Sequence, residues 1–156
     1  LSHVYHKLYN LNVSGLRFFT VYGPFGRPDM ALFKFTKNIL NGDEIDVYNH
    51  GKHQRDFTYI DDIVSGVVSA LEIPHKYEIF NLGNSNTVHL EYFIELIEKE
   101  LGIKAKRNLL PLQAGDVEKT YADIAKAKEM LGFDPKTNIE AGIHNFINWY
   151  KEYFKD

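Results

Sequence analysis

Apolar positions repeat at helical spacing at the start of the chain, where Leu1, Val4, Tyr5, Leu8 and Tyr9 predict a helix over Leu1 to Tyr9. The run GLRFFTV follows, with Leu16, Phe18, Phe19 and Val21 leading to Gly23-Pro24. It predicts one strand buried on both faces, of the kind a parallel sheet contains. A helix is predicted over Ala31 to Leu40, closed by Asn41-Gly42, with extended pieces at Ile45 to Tyr48 and Arg55 to Ile60. Asp61 and Asp62 open the next helix, DDIVSGVVSALEI, as acids at its positive end. YEIFNLG reads as a second buried strand, and Gly83 to Asn86 as a turn. Leu90, Phe93, Ile94, Ile97 and Leu101 then share one helical face, with Gly102 at the C-terminal cap. Asp123 caps a short helix that ends at Gly132, and Pro135 precedes a last helix with the stripe Ile139, Ile143, Phe146, Ile147, Tyr150 and Phe154. Helices alternating with short strands place the chain in the α/β class.

The chain has 156 residues, 44% of them hydrophobic and 14% aromatic, enough for a packed core in one domain. No apolar run approaches the roughly 20 residues that span a bilayer, so no membrane partner is expected. A formal charge of -3 argues against nucleic acid as a partner. The basic cluster Lys104, Lys106 and Arg107 reads as a solvated face beside acidic helix residues. The chain contains no cysteine, which fits a cytoplasmic protein.

Several patterns mimic chemistry. His3/His6 and His50/His53 are spaced like metal ligands but lack further ligands nearby, so surface or packing roles are expected and no metal. Asp61 and Asp62 are adjacent on a helix and point apart, which does not suit a carboxylate pair flanking one bond. Tyr48 and Lys52 have the Y-x-x-x-K spacing of a catalytic dyad, but Asn49 and Gly51 break any helix between them. Gly23-Pro24-Phe25-Gly26 is not a phosphate loop, and no G-x-G-x-x-G is present.

Four blocks occur in order: GLRFFTVYGPFGRPDMALFKF, HQRDFTYIDDIVSGVVSAL, YEIFNLGNSNTVHLEYFIELIEKELG and LPLQAGDVEKTYADIAKAKEMLGF. Together they resemble the extended short-chain dehydrogenase/reductases, in particular the UDP-glucuronate 4-epimerase group, across essentially the whole chain. The resemblance implies the C-terminal substrate-binding part of such an enzyme, with strands that would complete a Rossmann-type sheet. On that reading residues 1–22 end the Rossmann-type domain, residues 23–156 are mainly substrate domain, and the NAD-binding N-terminal half with its glycine motif and Tyr/Lys dyad is absent. Complete enzymes of this kind use NAD to oxidise the sugar C4 hydroxyl to a ketone and return hydride to the opposite face. UDP-sugar is the implied partner and a homo-oligomer is possible, while no NAD is expected to bind this chain alone. UDP-glucose/galactose 4-epimerases, dehydratases and decarboxylases of the same superfamily are the nearest alternatives, and a non-catalytic nucleotide-sugar-binding module is another.

The resemblance also assigns residues. Arg55 aligns with an arginine that holds the diphosphate, a task suited to a guanidinium fork, against the plainer role of pairing with an acid such as Asp56. Tyr48 falls where relatives face the uracil ring, Asp116 where ribose hydroxyls are accepted, and Gln113 near the phosphates. For Asp116 a turn residue, and for Tyr48 a core aromatic, are the competing readings. Thr20 and Arg27 lie at and beyond the end of the buried strand, where open α/β sheets place ligands, and are associated with the sugar carboxylate. Phe19 is placed near the nicotinamide, or otherwise in the core. Pro28, Asp29, Met30 and Ala31 are expected to shape the nucleotide side, and Trp149 and Tyr150 to pack.

Overall fold

The computed structural model describes residues 1–154. Its helices are α1 (Ser2–Tyr9), α2 (Ala31–Asn41), α3 (Ile60–Glu72), α4 (Leu90–Leu101), α5 (Ala125–Leu131) and α6 (Ile139–Tyr153). Its strands are β1 (Val13–Phe18), β2 (Thr20–Tyr22), β3 (Glu44–Val47), β4 (Gln54–Tyr59), β5 (Tyr77–Leu82), β6 (Thr87–His89) and β7 (Lys106–Leu109). The fold is α/β, as the alternating pattern predicted. Among the described residues no helix is long and apolar enough to cross a membrane.

The run GLRFFTV is not one strand buried on both faces. It splits at Phe19: β1 pairs in parallel with β5, from Val13 opposite Tyr77 to Phe18 opposite Leu82, and β2 pairs in parallel with β4, from Thr20 opposite Phe57. The cause is the length of β5, which ends at Leu82; Phe19 N–H takes the Leu82 carbonyl, and beyond it the chain joins a different partner. Within the chain β1 is only half covered, and Phe18 is 53% exposed. Thr20 therefore begins a strand rather than ending one.

Two short strands have no clear apolar signature. β6 runs antiparallel to β4, with Arg55 opposite Val88, and β7 runs parallel to β3. The basic cluster lies in and beside β7 and is not a uniformly solvated face. Arg107 is half-buried and donates to Glu91 and to Glu98, whose side chain is 3% exposed. Lys104 and the Ala105 N–H also donate to Glu98, at 2.6 and 3.1 Å. This network ties β7 to α4.

Helix ends follow the sequence closely. Gly42, Gly102 and Gly132 close α2, α4 and α5 with φ of 74, 69 and 65°, where a side chain would be strained. Asn138 caps α6 by accepting from Ala141 N–H at 2.8 Å. Asp123 accepts from Ala125 N–H at 3.0 Å, one residue outside the formal cap Ile124. Asp62 opens α3 and also accepts from the N–H groups of Lys136 and Thr137, fastening the turn before α6. Phe154 lies past the end of α6 and is largely exposed, while Tyr150 is buried and Trp149 packs partly against the core.

Two cores result. The larger joins α2, α4 and α6 to β3 and β4, with Phe57 and Phe93 stacked at 4.3 Å between ring centres. The smaller joins α3, β5 and α5 around Phe80, Leu82, Leu131 and Phe133.

Candidate functional site

A cleft of about 260 Å³ opens where β2, the start of α2, the end of β3 and β4 converge, and its walls include Thr20, Tyr48, His53, Arg55, Phe57 and Asp116. The fold thus brings together four residues that the sequence singled out from segments far apart in the chain. A neighbouring hollow of about 240 Å³ shares Tyr48 and Asp46 with the cleft and adds Asp29 and Lys34. A narrow pocket of about 40 Å³ continues from Thr20 to Arg27. A larger open hollow of about 430 Å³, between β6 and the start of α6, contains none of the predicted site residues. None of its lining side chains is a buried polar group lacking a partner, so volume alone does not make it the better site.

Tyr48 follows β3, starts a tight 3-10 turn, is half-buried and lines both hollows. Asn49 and His50 adopt left-handed φ of 51 and 49°, so the segment carrying Tyr48 and Lys52 is not an α-helical turn. His50 is exposed and His53 buried. Among the described residues no group of three or more His, Cys, Asp or Glu is placed to hold a metal.

Arg55 lies on β4 and does not pair with Asp56. Its Nη2 donates to Asp116 Oδ1 at 2.8 Å, with the two side chains 18% and 36% exposed, and its Nη1 donates to the Gln54 carbonyl. Asp116 is a turn residue that also lines the cleft. Its N–H donates to the Gln113 carbonyl around Gly115, φ 85°, and its Oδ1 accepts from Val117 N–H at 2.9 Å. Gln113 belongs to this turn, but its side chain is exposed and outside the cleft. Phe19 is half-buried at the junction of β1 and β2 and lies against Gly83, outside the cleft.

Arg27 stands in the loop after β2, 75% exposed, and its Nε and Nη2 both donate to the Asp29 carboxylate. That pair holds the Asp29 carboxyl below its ordinary range, because the hydrogen bonds from Arg27 favour the charged form. A carboxylate therefore already occupies the guanidinium fork.

Asp56 is the organising residue that sequence reasoning missed. It is fully buried, its Oδ1 accepts from Asn84 N–H at 2.7 Å and its Oδ2 from Ala122 N–H at 2.9 Å. Its own N–H donates to Thr120 Oγ1, and the 118–120 segment hydrogen-bonds along Gln54. One carboxylate thus pins the loop after β5 and the segment beyond Asp116 to β4. The acid of RDF and the threonine of TYAD are both visible in the sequence, but nothing local indicates that they meet.

A profile of the NAD dependent epimerase/dehydratase family matches residues 1–83. An uncharacterized protein of Methanocaldococcus jannaschii is 59% identical over 97% of this chain and 47% of its own length. A UDP-glucuronate 4-epimerase of Thermodesulfobacterium geofontis is 47% identical over 97% of this chain and 47% of its own length. The crystal structure of UDP-glucuronic acid 4-epimerase from Bacillus cereus, in complex with UDP-glucuronic acid and NAD, superposes with a TM-score of 0.91 at 36% identity, over 97% of this chain and 49% of that one. The chain spans about half the length of the curated relatives it matches. On this evidence the chain belongs to the NAD dependent epimerase/dehydratase family.

Proposed function

We propose that the chain is the substrate-gripping portion of a UDP-glucuronate 4-epimerase, which interconverts UDP-glucuronate and UDP-galacturonate through a 4-keto sugar. The observation that carries this reading is the convergence of Thr20, Tyr48, Arg55 and Asp116 on one cleft, with Arg27 on its continuation. Arg55 takes the diphosphate, for which its planar fork and position in the cleft wall are suited. Tyr48 lies along the uracil ring and Asp116 accepts from the ribose hydroxyls. Arg27 and Thr20 receive the sugar carboxylate, which takes the place of Asp29 in the arginine fork. Gln113 contributes from the turn edge, without charge. In a complete enzyme NAD would supply the hydride chemistry at the sugar C4. Phe19 is assigned to the nicotinamide side, but this chain supplies neither the glycine motif that receives a pyrophosphate nor the Tyr/Lys dyad.

In domain terms, residues 1–22 close the Rossmann-type domain and residues 23–156 are mainly substrate domain, with α3 and β5 returning to pack beside β1. The half-covered β1 and exposed Phe18 favour self-association, and monomeric behaviour at high concentration would count against a homo-oligomer. The cytoplasm is the compartment this reading assigns.

Two measurements test the assignment. In the complete enzyme, Arg27→Ala is expected to erase the preference for UDP-glucuronate over UDP-glucose; an unchanged preference defeats the carboxylate role. Calorimetry of this chain is expected to detect weak UDP binding and none for NAD, with Arg55→Ala weakening UDP by about tenfold or more. Tight NAD binding by this chain would sink the division of labour between the two halves.

A further inference from the structure

Among the described residues four buried side-chain polar atoms have no hydrogen-bond partner, and His53 Nε2 is the one that belongs to the cleft. An unpaired buried polar atom is costly, so its place needs a reason. His53 is 5% exposed, and its backbone is held where β4 meets α4, with its carbonyl accepting from Leu90 N–H at 2.9 Å. Its Nε2 lies 3.3 Å from Asp116 Oδ2. That is close enough for attraction, but the alignment does not make a hydrogen bond, and Nε2 remains unsatisfied. Meanwhile the other oxygen of Asp116, Oδ1, is engaged by Arg55 and by Val117 N–H. One carboxylate is therefore shared by a guanidinium on one side and an imidazole on the other.

The sharing creates competition for a nucleotide diphosphate that draws on Arg55 Nη2, because the N–H given to Asp116 is not at the same time free for a phosphate. We propose that His53 is the positioning residue of Asp116. A small shift lets Nε2–H donate to Oδ2, which holds the carboxylate on the cleft wall when a diphosphate draws Arg55 away. Asp116 then stays placed for the ribose hydroxyls and stops competing for the arginine. The role requires the proton on Nε2, the nitrogen that lies nearest the carboxylate. This inference rests on the roles given above to Arg55 and Asp116 and adds the group that lets them separate. A residue that merely fills space would need only the ring's volume, whereas positioning needs a donor at the Nε2 place.

The test is an NMR titration of the full 156-residue chain with UDP. His53→Leu, which keeps bulk and removes the donor, is expected to weaken UDP by about tenfold, and His53→Gln, whose amide can reach the same place, to stay within about twofold of the unsubstituted chain. Because an apolar residue at this place can disturb the fold, His53→Asn serves as the second variant: polar but too short, it is expected to weaken UDP as His53→Leu does. In the Asp116→Asn background, His53→Leu is expected to add nothing further. On UDP addition the His53 Nε2 resonance should move toward a hydrogen-bonded shift. Unchanged UDP affinity in His53→Leu overturns the proposal while leaving Arg55 as the phosphate group. Equal losses in folded His53→Gln and His53→Leu overturn it in favour of packing. Absence of UDP binding by the unsubstituted chain overturns the nucleotide reading and this inference together.

Discussion

The layer around β3 and β4 and the layer around β1 and β5 use the same kinds of element but are sealed to different degrees. In the first, α2, α4 and α6 close over a continuous interior in which Phe93, Ile94, Ile97, Ile143 and Ile147 are wholly buried. In the second, α3 and α5 cover Phe80 and Leu82 on one face, while α1 buries none of its own residues and Ile79 stays exposed opposite. Tyr48, Arg55 and the anchor of the Asp116 loop all ride on the sealed layer. Thr20 and Phe19 sit at the seam between the two. The cleft residues proposed to face a ligand are thus held by the part of the molecule least able to yield, which is what a preorganised site requires.

The largest expected effect is at the centre of the sealed layer. Phe93→Ala removes the ring stacked on Phe57 and should cost about 3–5 kcal/mol in denaturant unfolding. A cost below about 1 kcal/mol would mean the two layers are not packed differently after all.

Glu98→Gln comes next, at about 2–3 kcal/mol, because it leaves Arg107 and Lys104 without their buried partner. Burial alone would push the Glu98 carboxyl up, but the bonds from Lys104, Arg107 and Ala105 N–H outweigh it and hold it below the usual glutamate range. A lowered folded value means the stabilisation is full above the unfolded value of about 4.3 and is lost as pH falls through the folded one. Thermal melts of the two proteins should therefore converge at acid pH; a gap that widens there would refute the assignment.

A matched pair of glycines sharpens the comparison. A Cβ on Gly142 would meet the buried Tyr22 hydroxyl oxygen at 2.0 Å, and one on Gly66 would meet the Phe133 ring at 2.8 Å. Crowding costs about 1–3 kcal/mol, offset in either helix by the roughly 0.8 kcal/mol that alanine gains over glycine. Gly142→Ala should lower the melting temperature more than Gly66→Ala, since its Cβ would overlap its neighbour by a further 0.8 Å. The reverse order would overturn the contrast in rigidity.

Smallest of all is Leu71→Ala on the outer face of α3, where the side chain is 77% exposed; it should change stability by less than about 0.5 kcal/mol. A larger loss in equilibrium unfolding would show that this face is covered in solution.

Much of this was legible along the chain. Helix stripes such as Leu90, Phe93, Ile94, Ile97 and Leu101, and the glycines that end α2, α4 and α5, depend on neighbours three to five residues away, so a linear pattern carries them. The family followed from ordered motif blocks in the same way, as did the choice of Arg55, Tyr48, Asp116 and Thr20 as residues worth locating. Tertiary structure alone decided the partners. The split at Phe19 depends on where β5 stops, and β6 and β7 exist because β4 and β3 offer free edges to segments with little strand signature of their own. Arg107 looked solvated and became the tie to Glu98, Arg55 found Asp116 rather than its neighbour Asp56, and His53 came to rest beside the same carboxylate. Backbone periodicity is set by local sterics and is written in sequence, whereas the partner of a strand edge or a charge is set by which distant segment the packed core brings within a few ångströms.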